Sequence, residues 1–193
     1  MRSEEQMVSM GMKPGIPFVE FPKIHRFNRS IVVTEKLDGT NAQVYINDEG
    51  TQVFAGSRNK WISVEDDNCG FARWVRDNHE ELLKLGPGSH FGEWWGQGIQ
   101  RRYGLAEKRF SLFNTARWGG ENAPPTCCHV VPVLAHGLIT EVDVRGILES
   151  LRVNGSVAAP GFMNPEGVVI YHSTSRNLYK MTLDKNDEHK GNV

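Results

Sequence analysis

The sequence predicts a single α+β domain built mainly from antiparallel sheets. Segments rich in β-branched and aromatic residues outnumber the helical segments, and short turns containing glycine join several of them. Few stretches have the form of a βαβ crossover, which parallel strands require. A chain of 193 residues, 39% of them hydrophobic, can bury the core of one such domain.

Hydrophobic periodicity places the elements of this domain. Around the turn Asp48-Glu49-Gly50, two β-rich runs form the pattern of a hairpin. Residues 66–85 carry apolar side chains at the spacing of a helix that Gly86 ends. Residues 141–152 indicate a shorter helix that stops near Asn154-Gly155. The predicted strands are residues 30–36, 42–47, 51–57, 90–96, 109–115, 166–172 and 177–183.

The chain divides into three parts in this prediction. The N-terminal residues are rich in Met, Pro and Gly, so residues 1–29 are expected to be irregular. Residues 30–183 form the domain, and residues 184–193 form a polar tail that frays at its end. The tail is too short for a further domain with its own core.

Composition limits the partners and the compartment. The net charge is −1, from 22 Lys and Arg against 23 Asp and Glu, so any nucleic-acid partner would need a local basic groove. Three cysteines, with Cys127 next to Cys128, make a poor disulfide framework and suit the reducing cytoplasm. We find no signal peptide and no apolar run long enough for a membrane, so a cytoplasmic protein without a membrane partner is predicted.

The first segment whose residues are suited to catalysis is Lys36-Leu37-Asp38-Gly39, at the predicted end of the first strand. A lysine there can place its amine in a cleft beside the sheet. Free lysine has a pKa of about 10.4, so it becomes a nucleophile near neutral pH only where desolvation or a nearby cation favours the neutral amine. Taken alone, an ordinary strand-end lysine before an Asp-Gly turn has the same pattern.

Three side chains in the middle of the chain suit contacts with a nucleotide. Arg58 follows the hairpin and offers paired donors for phosphate or ribose, although a solvated loop explains it equally well. Glu93 lies within an apolar strand, where a buried carboxylate is costly without a partner. Phe113 could stack on a base, although an aromatic residue in a strand more often packs in the core.

Two charged residues mark the closing strands of the domain. Glu166 opens the apolar run Gly167-Val168-Val169-Ile170, and Lys180 lies within the strand that follows. If both side chains face one cleft, they suit a phosphate group and its metal ion. A surface ion pair is the simpler alternative for these two residues.

The order of these motifs is more specific than any one of them. Lys-x-Asp-Gly, Ser-Arg, Phe-Gly-Glu, an aromatic strand, Glu-Gly-Val-Val-Ile and a final strand lysine follow one another between residues 30 and 183. This order resembles the covalent nucleotidyltransferase superfamily of DNA ligases, RNA ligases and mRNA capping enzymes. Residues 34–41 and 91–100 are most similar to segments of the bacteriophage RNA ligase 2 family.

The resemblance implies a nucleotidyltransferase (adenylation) domain with mostly antiparallel sheets flanked by helices. It implies an ATP-dependent polynucleotide ligase, with RNA favoured over DNA as the substrate. Lys36 would take AMP from ATP, the AMP would pass to a 5′-phosphate end, and a 3′-hydroxyl end would displace it. Magnesium, or manganese in its place, would neutralise charge as pyrophosphate leaves.

The resemblance also assigns roles to single residues. Lys36, Glu166 and Lys180 would be catalytic, and Glu166 would also bind the metal ion. Glu93 would hold the ribose and Phe113 would stack on adenine. The full set expected at the nucleotide is Glu35, Lys36, Arg58, Glu93, Phe113, Glu166 and Lys180. The set expected at the nucleic acid is Asn41, Arg58, Arg101 and Arg102.

Two features depart from the family pattern. The family ends with Lys-x-Lys, whereas Thr182 holds the second position here, and Lys185 is out of strand phase with Lys180. Larger relatives continue beyond this strand with a domain that grips nucleic acid. We therefore expect weak, salt-sensitive binding of nicked duplex, which a partner protein or a high substrate concentration would offset.

Other functions stay open at this point. A minimal ATP-dependent DNA ligase fits Lys-x-Asp-Gly equally well, and a GTP-using capping enzyme fits less well. A non-catalytic module that binds nucleotides or nucleic acid on the same fold is the alternative that Thr182 supports.

Overall fold

Two sheets and three helices make up the part of the chain that the computed structural model describes, which is residue 15 and residues 17–184. The helices are α1 (Phe71–Asp77), α2 (His79–Leu83) and α3 (Val144–Asn154). The strands are β1 (Ser30–Lys36), β2 (Thr40–Ile46), β3 (Val53–Ser57), β4 (Trp61–Ile62), β5 (Gly88–Gly96), β6 (Lys108–Leu112), β7 (Cys128–Val130), β8 (Val133–Leu138), β9 (Gly167–His172) and β10 (Leu178–Thr182).

The strands divide into a four-stranded sheet, ordered β10-β9-β1-β8, and a six-stranded sheet, ordered β4-β3-β2-β5-β6-β7. Neighbouring strands are antiparallel except for β6 and β7, which are parallel. The helices α1 and α2 supply buried side chains to the core of the six-stranded sheet, and α3 packs with the four-stranded sheet. The predicted α+β class, with mostly antiparallel sheets flanked by helices, is confirmed.

Three apolar clusters hold this architecture together. One cluster lies between the six-stranded sheet and the helices α1 and α2, and it contains the fully buried Phe71, Trp94 and Phe110. A second lies between the four-stranded sheet and α3. The third contains Leu37, Trp95 and residues from loops between strands, and it fills the space where the two sheets meet. Burial of these side chains is the main favourable term in folding.

The link between the sheets is only three residues long. β1 ends at Lys36 in the four-stranded sheet, and β2 begins at Thr40 in the six-stranded sheet. Leu37 is buried in the third cluster, and a Cβ atom on Gly39 would lie 2.4 Å from the Trp94 carbonyl oxygen. Glycine is therefore required at residue 39, because the backbone of β5 leaves no room for a side chain.

The helix predicted over residues 66–85 is wrong in its extent. The Asp67 carboxylate accepts hydrogen bonds from the Ala72 and Arg73 amides, so the helix starts only after this turn, at Phe71. The Asn78 side chain donates to the Trp74 carbonyl at 2.8 Å, and the residue leaves helical geometry there. Asparagine competes with the backbone in this way, which divides the segment into α1 and α2.

Several short strands escaped prediction because they lack a clear alternation of buried and exposed residues. β4 has two residues and β7 has three, while β8 at the edge of its sheet has no buried residue. Residues 113–115, expected to extend the sixth strand, lie outside β6. None of the helices among the described residues has the length and apolar character needed to cross a membrane.

Candidate active site

Lys36 and Glu166 form an ion pair at the end of the four-stranded sheet, near Glu93 of the six-stranded sheet. The space around these three side chains is the cleft. Lys36 ends β1, and its backbone pairs with Gly167, the first residue of β9. The Lys36 Nζ atom lies 2.6 Å from Glu166 Oε2, and both side chains are largely withdrawn from solvent. An ion pair this short and partly desolvated aligns the amine with a defined acceptor. The structure therefore brings together the two residues that the sequence placed 130 positions apart.

Glu93 enters the same cleft from the six-stranded sheet. Its Oε1 atom accepts a hydrogen bond from the Gly39 amide at 3.1 Å. Burial raises the pKa of the Glu93 carboxyl to about 7, and the nearby Glu166 adds to this rise. The positive charge of Lys36, the Gly39 amide and the charge of Arg58 act in the opposite direction. A carboxylate with one protein donor retains free lone pairs for a ligand in the cleft.

Asp38 anchors the connection between Lys36 and Glu93 from its outer side. Its amide donates to the Tyr103 hydroxyl at 2.8 Å, and burial raises the pKa of Tyr103, so the hydroxyl stays neutral. Its carboxylate accepts from Arg101 Nε at 2.9 Å. Arg101 also donates to the Asn164 carbonyl and side chain, and it pairs with Asp184.

The expected contact between Arg101 and nucleic acid stays a prediction. The Arg101 side chain is 13% exposed, and its donors are directed to protein acceptors on Asp38 and Asn164. Guanidinium groups with fixed, planar donors are well suited to such cross-linking. Arg102, in contrast, is exposed and has a positive φ of 60°, so it remains available for the predicted role.

Glu35, the residue before Lys36, points to the opposite side of β1. Strand alternation turns its side chain away from Lys36 and into the core, where it is almost fully buried. The carboxylate accepts from the Ser156 hydroxyl at 2.5 Å and from the Val157 and Ala158 amides at 2.9 Å each. Burial raises the pKa of Glu35 and these donors oppose the rise. The carboxylate therefore holds the loop after α3, and its expected contact with the nucleotide stays a prediction.

The strands β9 and β10 extend the cleft on the other side of Lys36. Lys36 pairs with Gly167, and Gly167 pairs with Thr182, so Thr182 lies in the same row two strands away. Lys180 pairs with Val169, on the same face but one step farther along the sheet. Lys180 is exposed, so its flexible side chain can turn toward the cleft.

The remaining predicted residues surround Glu93. Asn41 pairs with Glu93 across β2 and β5, which directs both side chains to one face. Arg58 is exposed in the turn between β3 and β4, close enough for its charge to lower the pKa of Glu93. Phe113 is exposed, and its amide donates to the Phe91 carbonyl beside the same face. The roles of these residues toward a ligand stay predictions.

The donor set of the cleft fits a divalent cation that arrives with a nucleotide. Among the described residues, no three His, Cys, Asp or Glu side chains converge into a complete metal site. Magnesium in nucleotide-dependent enzymes is usually held by one or two carboxylates together with phosphate oxygens. Glu166 supplies a carboxylate of this kind beside Lys36.

Comparison with known families agrees with this arrangement. The family model of RNA ligases matches residues 29–182, which include every strand of both sheets. The chain belongs to the RNA ligase family. No curated protein gives a significant match to the sequence.

Solved structures show the same fold. A mutant of the Naegleria gruberi RNA ligase with ATP and Mn is 21% identical, has a TM-score of 0.60, and matches 82% of this chain and 51% of its own. A second mutant of that ligase, with AMP and Mn, is 20% identical, has a TM-score of 0.57, and matches 80% and 49%. The chain therefore spans about half the length of the structures that it matches.

Sequence reasoning missed the residues that hold the segment around Lys36 in place. Tyr103, Ser156 and Asn164 are close in space to the Lys36 segment but far from it in sequence. Only Tyr103 gave a usable signal, because a tyrosine that is buried usually needs a partner for its hydroxyl. Nothing local to residues 156 or 164 indicates their contacts.

The raised pKa of Glu93 predicts that its replacement by glutamine stabilises the protein at alkaline pH. In the folded state the Glu93 carboxyl has a pKa of about 7, whereas in the unfolded chain it loses its proton near the ordinary value of 4.5. Stability from this group is complete below about pH 4.5 and is lost as pH rises through 7. Glu93→Gln should therefore gain up to about 3 kcal/mol over the wild type between pH 5 and pH 8.5.

Urea unfolding at these two pH values measures the difference. Glu80→Gln, which removes a carboxylate from the surface, is the matched control. If the two proteins differ in free energy of unfolding by the same amount at both pH values, ionisation of Glu93 does not destabilise the folded state, and the prediction is wrong.

Proposed function

We propose that this RNA ligase is ATP-dependent and joins RNA ends through a lysyl-AMP intermediate on Lys36. The observation that carries the proposal is the 2.6 Å contact between Lys36 Nζ and Glu166, with Glu93 facing the same cleft. A lysine amine that is aligned and partly desolvated beside a proton acceptor suits nucleophilic catalysis. The ATP bound to Naegleria ligase mutants of the same fold supports ATP as the nucleotide.

The first step forms the covalent intermediate. Lys36 Nζ gives up a proton, and Glu166 is the nearest group that can accept it. The nitrogen lone pair then attacks the α-phosphorus of ATP, an N–P bond forms, and the bond to the bridging oxygen breaks to release pyrophosphate. Magnesium, or manganese, bound with ATP beside Glu166, would supply charge neutralisation for the leaving group. Lys180 would contribute a positive charge near the α-phosphate.

The second and third steps transfer and then release AMP. An oxygen of the RNA 5′-phosphate attacks the same phosphorus, the N–P bond breaks, and Lys36 regains its proton. The 3′-hydroxyl of the other end then attacks the 5′-phosphate, which forms the phosphodiester and releases AMP. Glu93 would hold the ribose of AMP, Phe113 would stack on adenine, and Arg58 would contact a phosphate. Asn41, which pairs with Glu93, would contact the RNA end.

We predict that Lys36 is the site of adenylylation. The protein should gain one AMP after incubation with ATP and magnesium, and Lys36→Met should gain none because methionine offers no amine. Intact mass spectrometry with ATP and with GTP measures both adducts. Lys60→Met is the matched control, since Lys60 is an exposed lysine paired with Asp66.

The same experiment separates the alternatives. A GMP adduct would indicate a capping enzyme, and the absence of an adduct with either nucleotide would indicate a non-catalytic binding module. Peptide mapping that placed AMP on Lys60 or Lys180 would overturn the assignment to Lys36.

Glu166 and Lys180 are predicted to accelerate the first step. Replacing either by alanine should lower the adenylylation rate at least about tenfold, which corresponds to about 1.4 kcal/mol of transition-state stabilisation. Single-turnover labelling with radioactive ATP measures the rate, and circular dichroism checks folding. Folded variants that label as fast as the wild type would refute these roles.

Asn41 is predicted to act after the intermediate has formed. Asn41→Ala should form the AMP adduct at a near-normal rate but seal a pre-adenylylated RNA strand at least about tenfold more slowly, because it removes a contact to the RNA end. Asn47→Ala, which alters an asparagine in the β2–β3 turn, is the control. Normal sealing by Asn41→Ala would disprove this separation of steps.

A further inference from the structure

One face of the six-stranded sheet continues from the catalytic cleft to a group of exposed aromatic residues. Cross-strand pairs between β2 and β5 form three successive rungs on this face: Asn41 with Glu93, Gln43 with Phe91, and Tyr45 with Ser89. Directly paired residues of antiparallel strands point to the same side of the sheet. The face that carries Glu93 into the cleft therefore also carries Phe91 and Tyr45.

The rungs extend onto β3 and β4. Tyr45 pairs with Phe54, Gln43 pairs with Gly56, and Gly56 pairs with Trp61. A Cβ atom on Gly56 would lie 3.3 Å from the Trp61 ring, so the indole lies directly over the backbone of this glycine. The missing side chain at residue 56 thus makes the space in which Trp61 rests on the sheet.

Tyr45, Phe54 and Trp61 form an aromatic cluster. The Tyr45 ring centroid lies 6.1 Å from that of Phe54 and 5.8 Å from that of Trp61, and the Phe54 and Trp61 centroids are 6.4 Å apart. Phe54 is 44% exposed and Trp61 is 57% exposed. Phe91 lies one rung nearer the cleft than Tyr45 and is 50% exposed. Part of the surface of Phe54, Trp61 and Phe91 is therefore accessible to a planar ligand.

The chemistry of this face favours nucleobases over an apolar protein surface. Among the described residues of β2 to β5 that point this way, Glu93 in the cleft is the one charged side chain, and the others are aromatic, amide, hydroxyl or glycine. The Gln43 amide donates to the Ser89 hydroxyl at 2.8 Å between the rings. Unpaired bases stack on exposed aromatic side chains and form hydrogen bonds along their edges, and this face offers both kinds of group.

We propose that Tyr45, Phe54, Trp61 and Phe91 form a stacking subsite for unpaired bases of the RNA strand whose end lies in the cleft. The proposal rests on the proposed ligase function, because it takes the cleft as the place of the RNA end. From Asn41 to Tyr45 the strand β2 rises about 13 Å, the length of roughly four stacked nucleotides. The bases near the end would therefore lie over these rings while the backbone faces solvent and Arg58.

Replacement of the most exposed ring tests the subsite. Trp61→Ala should weaken binding of a fluorescein-labelled 12-nucleotide single-stranded RNA at least about fivefold, because one base loses its stacking partner. Trp61→Phe should restore most of the affinity, since it keeps an aromatic face. The loss should persist as salt is raised, because stacking, unlike phosphate contact, releases no counterions. Fluorescence anisotropy at two salt concentrations measures these affinities with the full chain.

Two controls make the result decisive. Tyr179→Ala removes a ring that is 53% exposed on β10, outside the proposed subsite, and should leave RNA affinity unchanged. Formation of the AMP adduct should also be unchanged in Trp61→Ala, because Trp61 lies outside the cleft. A wild-type protein that forms no AMP adduct would count against the ligase function, whereas the RNA-binding measurements would still test the stacking subsite.

Some outcomes would overturn the stacking subsite while the ligase function stands. Wild-type RNA affinity in Trp61→Ala and in Phe54→Ala, with normal adduct formation, would do so. Binding of double-stranded RNA that weakens as much as binding of the single strand would also contradict it, because paired bases cannot stack on the rings. A wild-type chain that binds no single-stranded RNA would equally exclude the subsite.

Discussion

The three-residue connection from Lys36 to Thr40 is the constraint on which the rest of the structure depends. It joins the two sheets directly, so Lys36 at the end of one sheet cannot separate from Glu93 in the other. Gly39 allows the close approach, because a larger residue would collide with the Trp94 carbonyl. The buried Leu37 then seals the space between the sheets. The short link and the packing of Leu37 and Gly39 therefore keep the two sides of the cleft close together.

Glu35 and Glu93 are both buried, but one contacts the core and the other faces the cleft. Glu35 lies in the core with three donors from one loop, so its interactions are complete and it serves the fold. Glu93 faces the cleft with one donor from the protein, and burial raises its pKa to about 7. A carboxylate that the protein leaves incompletely satisfied is suited to a ligand that supplies the missing donors. The number of protein donors around each carboxylate therefore distinguishes the structural Glu35 from Glu93, which can still accept hydrogen bonds from a ligand.

The cleft residues were proposed from the resemblance of the motif order to a known family. Local sequence patterns predicted the fold class and the longer strands, because these depend on alternation and on spacing within short segments. They failed where long-range contacts decide the outcome. Arg101 has the appearance of a free basic residue until Asp38 and Asn164 are brought to it by the fold. The helix break at Asn78 depends on one side-chain hydrogen bond, which the spacing of apolar residues in the sequence does not reveal.

The alternation that forms the cleft also explains why the aromatic cluster lies on the side that it does. A shift of β2 by one residue would exchange the buried Ala42 and Val44 with Gln43 and Tyr45 and destroy the core against α1. The register of β2 is therefore fixed by the core, and with it the face on which Asn41 and Tyr45 lie. Because a sheet is stiff along its strands, the cluster keeps a constant distance from the cleft. An RNA strand that reaches from the cleft to the aromatic cluster would meet a surface that is already ordered, which lowers the entropic cost of binding.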